Sequence, residues 1–420
     1  MKQILLLFAV VLLFSCSQQK SKIYQWRGEN RTGVFPEENL LNEWPENGPQ
    51  EMWFAEGIGN GYGSPTVTEN ELFVTGEIDS LAWMFCFGLN GELKWKQEFG
   101  KEWAKHYPGS RSAPTVVDNL VYVNSGAGTI SCLNREDGTL IWQRDYIEDF
   151  DAMFPMHGFS EAPVVSGNKV FCTPGGKEHN VVALDRFTGD IVWSCEGMGE
   201  RMGYNPGNII ELPNRKIYVT FSAYHMLGID TETGELLWNQ LQDNTPVDKR
   251  EPGVGDTHSN NIIFEDGIIY YAAGDGNRGV KLQLSDDGSE ITEIWRTTDF
   301  DTYMGGFVKL GDYLYGCGTR KKDLKSFKAE TGEPIDSLKA GTGAVIAADN
   351  MLYYYNWRGE LSLLSYENGK LEKKSAFKIE KGTKEHFSHP VIKNGILYQR
   401  RGDALMAFDI SAKQKSLAKI

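Results

Sequence analysis

Ala183-Leu184-Asp185-Arg186-Phe187-Thr188-Gly189-Asp190-Ile191-Val192-Trp193 decides the fold, because its Ala, Asp, Gly and Trp form a pattern that returns along the chain. Gly228, Asp230, Gly234 and Trp238 repeat it, as do Cys132, Asn134, Gly138 and Trp142. Cys86, Asn90, Gly91 and Trp95 follow with a shorter turn. The tryptophans recur about 45 to 51 residues apart, the period of propeller blades. Upstream of each pattern lies a pair of β-rich runs joined by a turn. Pro114-Thr115-Val116-Val117, Asp118-Asn119 and Leu120-Val121-Tyr122-Val123 make one such hairpin; Pro163-Val164-Val165, Ser166-Gly167-Asn168 and Lys169-Val170-Phe171-Cys172 make another. Adding the strand before the Gly and the strand that carries the Trp gives four antiparallel strands per unit. A unit this small cannot bury both faces alone, so the units stack around an axis.

First strands start near Ser64, Ser112, Glu161, Asn208, Ser259, Gly305, Gly343 and Ser388, which makes the fold an all-β, eight-bladed β-propeller. The last unit stops at Asp409 without its Gly and Trp, while Glu51-Met52-Trp53-Phe54 is a strand without a unit. Pairing the two closes the ring and removes two open sheet edges. Blades six and seven carry Asp336 and Lys373 where Trp is expected, so their outer strands are predicted to be held less firmly.

Composition agrees with a folded body. Among 420 residues, 40% are hydrophobic, 12% aromatic and 24% charged, which rules out a disordered chain or a multi-span membrane protein. The formal charge of -14 would repel a phosphate backbone, which removes nucleic acid from the partners.

The first residues read as targeting. Lys2 precedes the apolar run from Ile4 to Phe14, too short to span a bilayer as a helix. Leu13-Phe14-Ser15-Cys16 resembles a lipobox, which makes 1–15 a lipoprotein signal peptide and Cys16 the lipidated residue. A secretory leader with an incidental cysteine is the other reading. Residues 16–22 form a polar tether, 23–50 a segment packing on the propeller, and 51–413 the ring itself. The expected location is the cell envelope, anchored to the outer membrane through Cys16; Ser17 and the lack of an acidic run favour the periplasmic face. Cys86, Cys132, Cys172, Cys195 and Cys317 include no C-x-x-C and no adjacent pair, and they sit in strand-like runs as small hydrophobes.

The Ala-Asp-Gly-Trp spacing resembles the tryptophan-docking motif of the quinoprotein alcohol dehydrogenase-like propellers, the PQQ-like repeat family that includes BamB. Trp26-Arg27-Gly28-Glu29-Asn30-Arg31-Thr32-Gly33 and Thr173-Pro174-Gly175-Gly176-Lys177 resemble segments of secreted members. The resemblance extends over about residues 24 to 410. It implies the fold; one propeller carries many functions, so activity has to be argued from the site.

Residues just before each first strand face a common funnel. These are Tyr62, Arg111, His157 with Glu161, Tyr204, His258 with Asn260, Tyr303, and His386 with His389, a candidate pocket for a small polar ligand. The other reading is that a channel mouth needs polar groups only for solvation. No ligand spacing points to a metal. Gly274-Asp275-Gly276-Asn277-Arg278-Gly279 precedes a strand rather than a helix and reads as a hairpin turn. Gly158-Phe159-Ser160-Glu161-Ala162 also leads into a strand, against a serine hydrolase.

Two functions remain. The first is a non-catalytic, lipid-anchored binding propeller that engages an envelope protein or a saccharide, with BamB-like scaffolding as one version. The alternative, implied only by the resemblance, is a PQQ-dependent dehydrogenase with calcium acting on an alcohol or sugar. Family members with that activity place two adjacent cysteines against the quinone, and this sequence has no such pair.

Overall fold

The computed structural model describes residues 21–242, 245–250, 259–274, 276 and 278–412. In blade two, Thr115–Val117, Leu120–Asn124, Thr129–Asn134 and Leu140–Asp145 pair antiparallel in that order, from the axis outward. Residues of the inner three strands are mostly buried on both faces, because neighbouring blades cover each side. That is why they read as continuous apolar runs. Only the outer strand alternates, with Trp142 inward between exposed neighbours. Seven further four-stranded antiparallel sheets repeat the arrangement and complete an eight-bladed propeller.

Each outer-strand indole is laid on the next blade. Trp193 donates from Nε1 to the Thr231 carbonyl at 2.9 Å, and its ring covers Gly234. Gly234 has φ +77°, and a Cβ there would overlap the indole, so glycine is required twice over. Trp95 on Gly138, Trp142 on Gly189 and Trp295 on Gly332 repeat the contact. Trp238 reaches the Gly288 carbonyl in the longer turn of blade five, at 3.2 Å.

Blades six and seven lack an indole at these places, as the sequence indicates, and other contacts stand there. Asp336 accepts from the Leu371 amide at 2.9 Å, while Tyr313 and Ile335 cover Gly369. After blade seven, Phe377 covers Gly48, and Trp44 packs edge-on against Phe377 at 5.4 Å.

The ring closes with strands from both ends of the chain. Gln50–Glu56 pairs antiparallel with Ala404–Asp409, in a register that sets Phe54 opposite Met406 and Trp53 opposite Ala407. Trp53 then completes the circle: it donates to the Leu89 carbonyl at 2.8 Å and covers Gly91 of blade one. The five cysteines within the ring are buried free thiols. Ala273 pairs with Arg278, and a strand, not a helix, runs on from Arg278 to Leu284.

Residues 21–41 fill the channel. Ile23–Tyr24 adds a strand antiparallel to the inner strand of blade two, and Ser21 meets Asp118 in the turn below it. The chain then crosses the axis. Arg31 donates to the Ala162 and Pro163 carbonyls on one side, and Arg27 to the Phe307 and Val345 carbonyls on the other. Val34 runs parallel beside Ala347, and the Leu40 amide meets Asp349 in the turn below blade seven. Both limbs therefore leave by the face where the inner strands end.

Candidate functional site

On the opposite face, where the inner strands begin, the plugged channel leaves a cavity of about 440 Å³. Trp26 is its floor. Tyr62, Arg111, His157, Tyr204, Tyr303 and His389 all line it, each from the approach to an inner strand. Tyr107, Trp357, Phe387 and Ser64 line it as well. Sequence reasoning missed the aromatic character of the wall because Tyr107, Trp357 and Phe387 lie in loops without periodicity. It missed the floor because Trp26 precedes every repeat.

Three candidates belong elsewhere. Glu161 is fully buried between blades: its Oε1 accepts from Tyr218 at 2.7 Å and from Thr173 Oγ1, and its Oε2 from the Thr173 amide. Burial raises its carboxyl to about 7 against these donors and Arg31. Asn260 is buried as a brace, donating to the Ala272 and Thr302 carbonyls and accepting from the Gly306 amide. His386 turns away to the Tyr355 hydroxyl and lies over Gly359; burial and Arg401 lower it to about 4. These three correct the sequence expectation. Glu161 and Asn260 lie three residues before an inner strand and His386 five before one, yet each side chain turns toward a neighbouring blade instead of the axis. His258 lies outside the described residues, as does Cys16.

The cavity's polar groups are committed to one another. Tyr62 donates to Glu385 at 2.9 Å, and Ser160 to the Tyr204 carbonyl at 3.1 Å. His389 accepts from Arg27 at Nδ1, 2.8 Å away, and donates from Nε2 to the Met304 carbonyl at 3.1 Å. Burial and the adjacent guanidinium lower its imidazole to about 3, so it is neutral with one fixed tautomer, not a proton shuttle at neutral pH. Arg111 folds its fork back on its own loop, donating to the Gly109, His106 and Tyr107 carbonyls, and its guanidinium lies 5.6 Å from the Tyr62 ring centre. Among the described residues no carboxylate lies within ion-pairing distance of Arg111. Glu102 acts on it electrostatically; the Oε1 of Glu102 takes the Trp103 and Gly126 amides, and burial raises its carboxyl to about 7.

The donor set does not suit calcium. That ion takes six to eight oxygen ligands with carboxylates prominent, and no described lining residue is an Asp or Glu. Among the described residues no three His, Cys, Asp or Glu side chains converge as metal ligands. Nor do two adjacent cysteines stand against the cavity.

A ring of eight blades around a plugged, aromatic-walled cavity defines the class as a β-propeller with one ligand-sized central chamber. The chain belongs to the PQQ-like repeat family whose model, described as outer membrane protein assembly factor BamB, matches residues 50–144 and 83–337. It is 24% identical over 276 residues to BamB of Yersinia pestis, covering 63% of this chain and 62% of that protein. It is 24% identical over 233 residues to the quinoprotein alcohol dehydrogenase PedH of Pseudomonas putida, covering 53% of this chain and 35% of that enzyme. The chain thus spans less than two thirds of either relative. Among solved structures, BamB of Moraxella catarrhalis superposes with a TM-score of 0.61 at 12% identity, over 86% of this chain and 97% of that one. A quinohemoprotein alcohol dehydrogenase of Pseudomonas putida HK5 gives 0.59 at 13% identity, over 91% of this chain and 79% of that one. These two likenesses are of fold.

Proposed function

We propose that the protein is a non-catalytic binding module of the cell envelope, lipid-anchored through Cys16, whose central cavity holds part of a protein or a small polar or saccharide ligand. The observation that carries this reading is the chamber itself: closed below by Trp26, walled by aromatic side chains, and with no Asp or Glu among its described lining residues. Relatives named as outer membrane protein assembly factors support an envelope scaffold. Because residues 21–24 enter the ring from the far face, a lipid on Cys16 would hold the protein with its cavity mouth turned away from the membrane. The outer membrane, facing the periplasm, is the location that this reading assigns.

The second reading, a PQQ-dependent dehydrogenase, is favoured by the match to PedH. It is disfavoured by a lining without calcium donors among the described residues. The experiment is native mass spectrometry of protein isolated from its own envelope, before and after denaturation. A released ligand other than PQQ, lost when Tyr303 and Trp357 are replaced by Ala, is the expected result. Stoichiometric PQQ would refute the binding-module reading.

A further inference from the structure

The cavity's mouth carries an apolar lip that is about half exposed, with Phe154 resting on Phe159 at 5.4 Å. Tyr107, Phe154 and Met156 are 54%, 51% and 49% exposed. They belong to two loops that touch: Phe154 lies 6.1 Å from Trp103, and Tyr107 lies 6.4 Å from His157. Tyr107 also lies 6.3 Å from Phe387 in the cavity wall, so lip and chamber form one continuous surface. Contiguous exposed apolar side chains mark protein and membrane interaction sites as well as ligand grooves. Methionine and aromatic side chains are the types that adapt to peptide partners.

Charge narrows the partner. Arg111 is the only permanently charged side chain among the described lining residues, and its positive charge is met by carbonyl dipoles rather than by a carboxylate. Lys105 adds a second cation at the lip, 5.4 Å from the centre of the Trp103 ring. In a chain of formal charge -14, these two cations stand at the mouth beside one carboxylate, Glu385, which the Tyr62 hydroxyl engages. A saccharide fits less well. Its hydroxyls need a dense set of partners, whereas Tyr62, Ser160 and both nitrogens of His389 already bond within the protein.

We infer that the cavity and lip receive an acidic peptide segment of an envelope protein, with an aromatic side chain inserted toward Trp26 and flanking carboxylates held in the field of Arg111 and Lys105. This rests on the binding-module reading and specifies its ligand. Phe154 and Met156 cover the peptide on either side of the inserted ring.

The test is calorimetric titration of the full-length protein in detergent with the peptide acetyl-Gly-Glu-Phe-Asp-Gly-amide. Parallel arms replace its Phe by Ala, replace its two acids by Lys, or substitute chitobiose for the peptide. The acidic aromatic peptide is expected to bind at least tenfold more tightly than either altered peptide, and to weaken severalfold when salt is raised to about 0.5 M. Phe154→Ser with Met156→Ser, which alters exposed side chains, is expected to cost about tenfold with an unchanged melting temperature. Equal binding of the three peptides, no peptide binding, or loss of binding only in variants that unfold would overturn the inference. Binding of chitobiose alone would overturn it and leave the binding-module reading standing, whereas calcium-dependent alcohol oxidation with PQQ would remove that reading itself.

Discussion

Arg27 donates a guanidinium hydrogen to Nδ1 of His389 at 2.8 Å, a contact between residues 362 positions apart. The same guanidinium holds the carbonyls of Phe307 and Val345, so one side chain ties the channel segment to blades six, seven and eight. Burial without a carboxylate partner lowers Arg27 to about 9, still charged at neutral pH. Replacing it by Met would fill much of the space and strand those acceptors. At about 1–3 kcal/mol for each buried group left unmade, the expected loss is about 3 kcal/mol. Urea unfolding of Arg27→Met measures it; a loss below about 1 kcal/mol would mean that the plug does not brace the ring.

Trp53 closes the circle by resting on Gly91. Trp53→Ala removes a half-buried indole and its hydrogen bond, with an expected cost of about 2 kcal/mol. A chain beginning at residue 60 loses the closing strand and the plug together, and is expected to aggregate through the exposed edge of Ala404–Asp409. Melting and light scattering of both proteins check this. A truncated chain that melts like the whole would refute closure by mixed termini.

His389 is held neutral when folded, lowered from 6.5 to about 3. Below pH 6.5 the unfolded chain takes up a proton that the folded chain refuses. The stability contributed at neutral pH therefore falls as pH drops from about 6.5 toward 3, by up to about 1.4 kcal/mol per unit. Glu102 and Glu161, raised to about 7, act in the opposite sense, protonating in the folded state first as pH falls from 7 toward 4.5. His389→Asn isolates the histidine: its stability relative to wild type should improve steadily from pH 6.5 to 4.5. A difference independent of pH would show that His389 titrates normally.

Cys16→Ser removes the proposed acylation site, and no helix among the described residues is long and apolar enough to cross a membrane. The variant is expected to move from the membrane to the soluble envelope fraction. Unchanged fractionation would refute the anchor.

Periodicity made the ring legible. Ala183, Asp185, Gly189 and Trp193 announce a blade because docking an indole on a neighbour's glycine demands that spacing, and even the stray Trp53 strand could be placed. The site was only half legible. Tyr62, Arg111, His157, Tyr204, Tyr303 and His389 line the chamber because position before an inner strand does point to the axis. Glu161, Asn260 and His386 share that position, but which way a side chain turns depends on one residue of register and on the neighbouring blade. The plug was illegible. Arg27 and Arg31 gain their roles from carbonyls more than a hundred positions away, and Trp26 from the His389 ring, and no local pattern records such contacts.

The measurement that bears most directly on the central claim is dye reduction by the purified protein supplied with PQQ and calcium, across primary alcohols and aldoses. A binding module whose chamber offers Arg111, neutral His389 and aromatic walls but no Asp or Glu among its described lining residues should give no substrate-dependent reduction, with or without calcium. Calcium-dependent reduction that rises with alcohol or sugar, and disappears when Tyr303 and Trp357 are replaced by Ala, would contradict it.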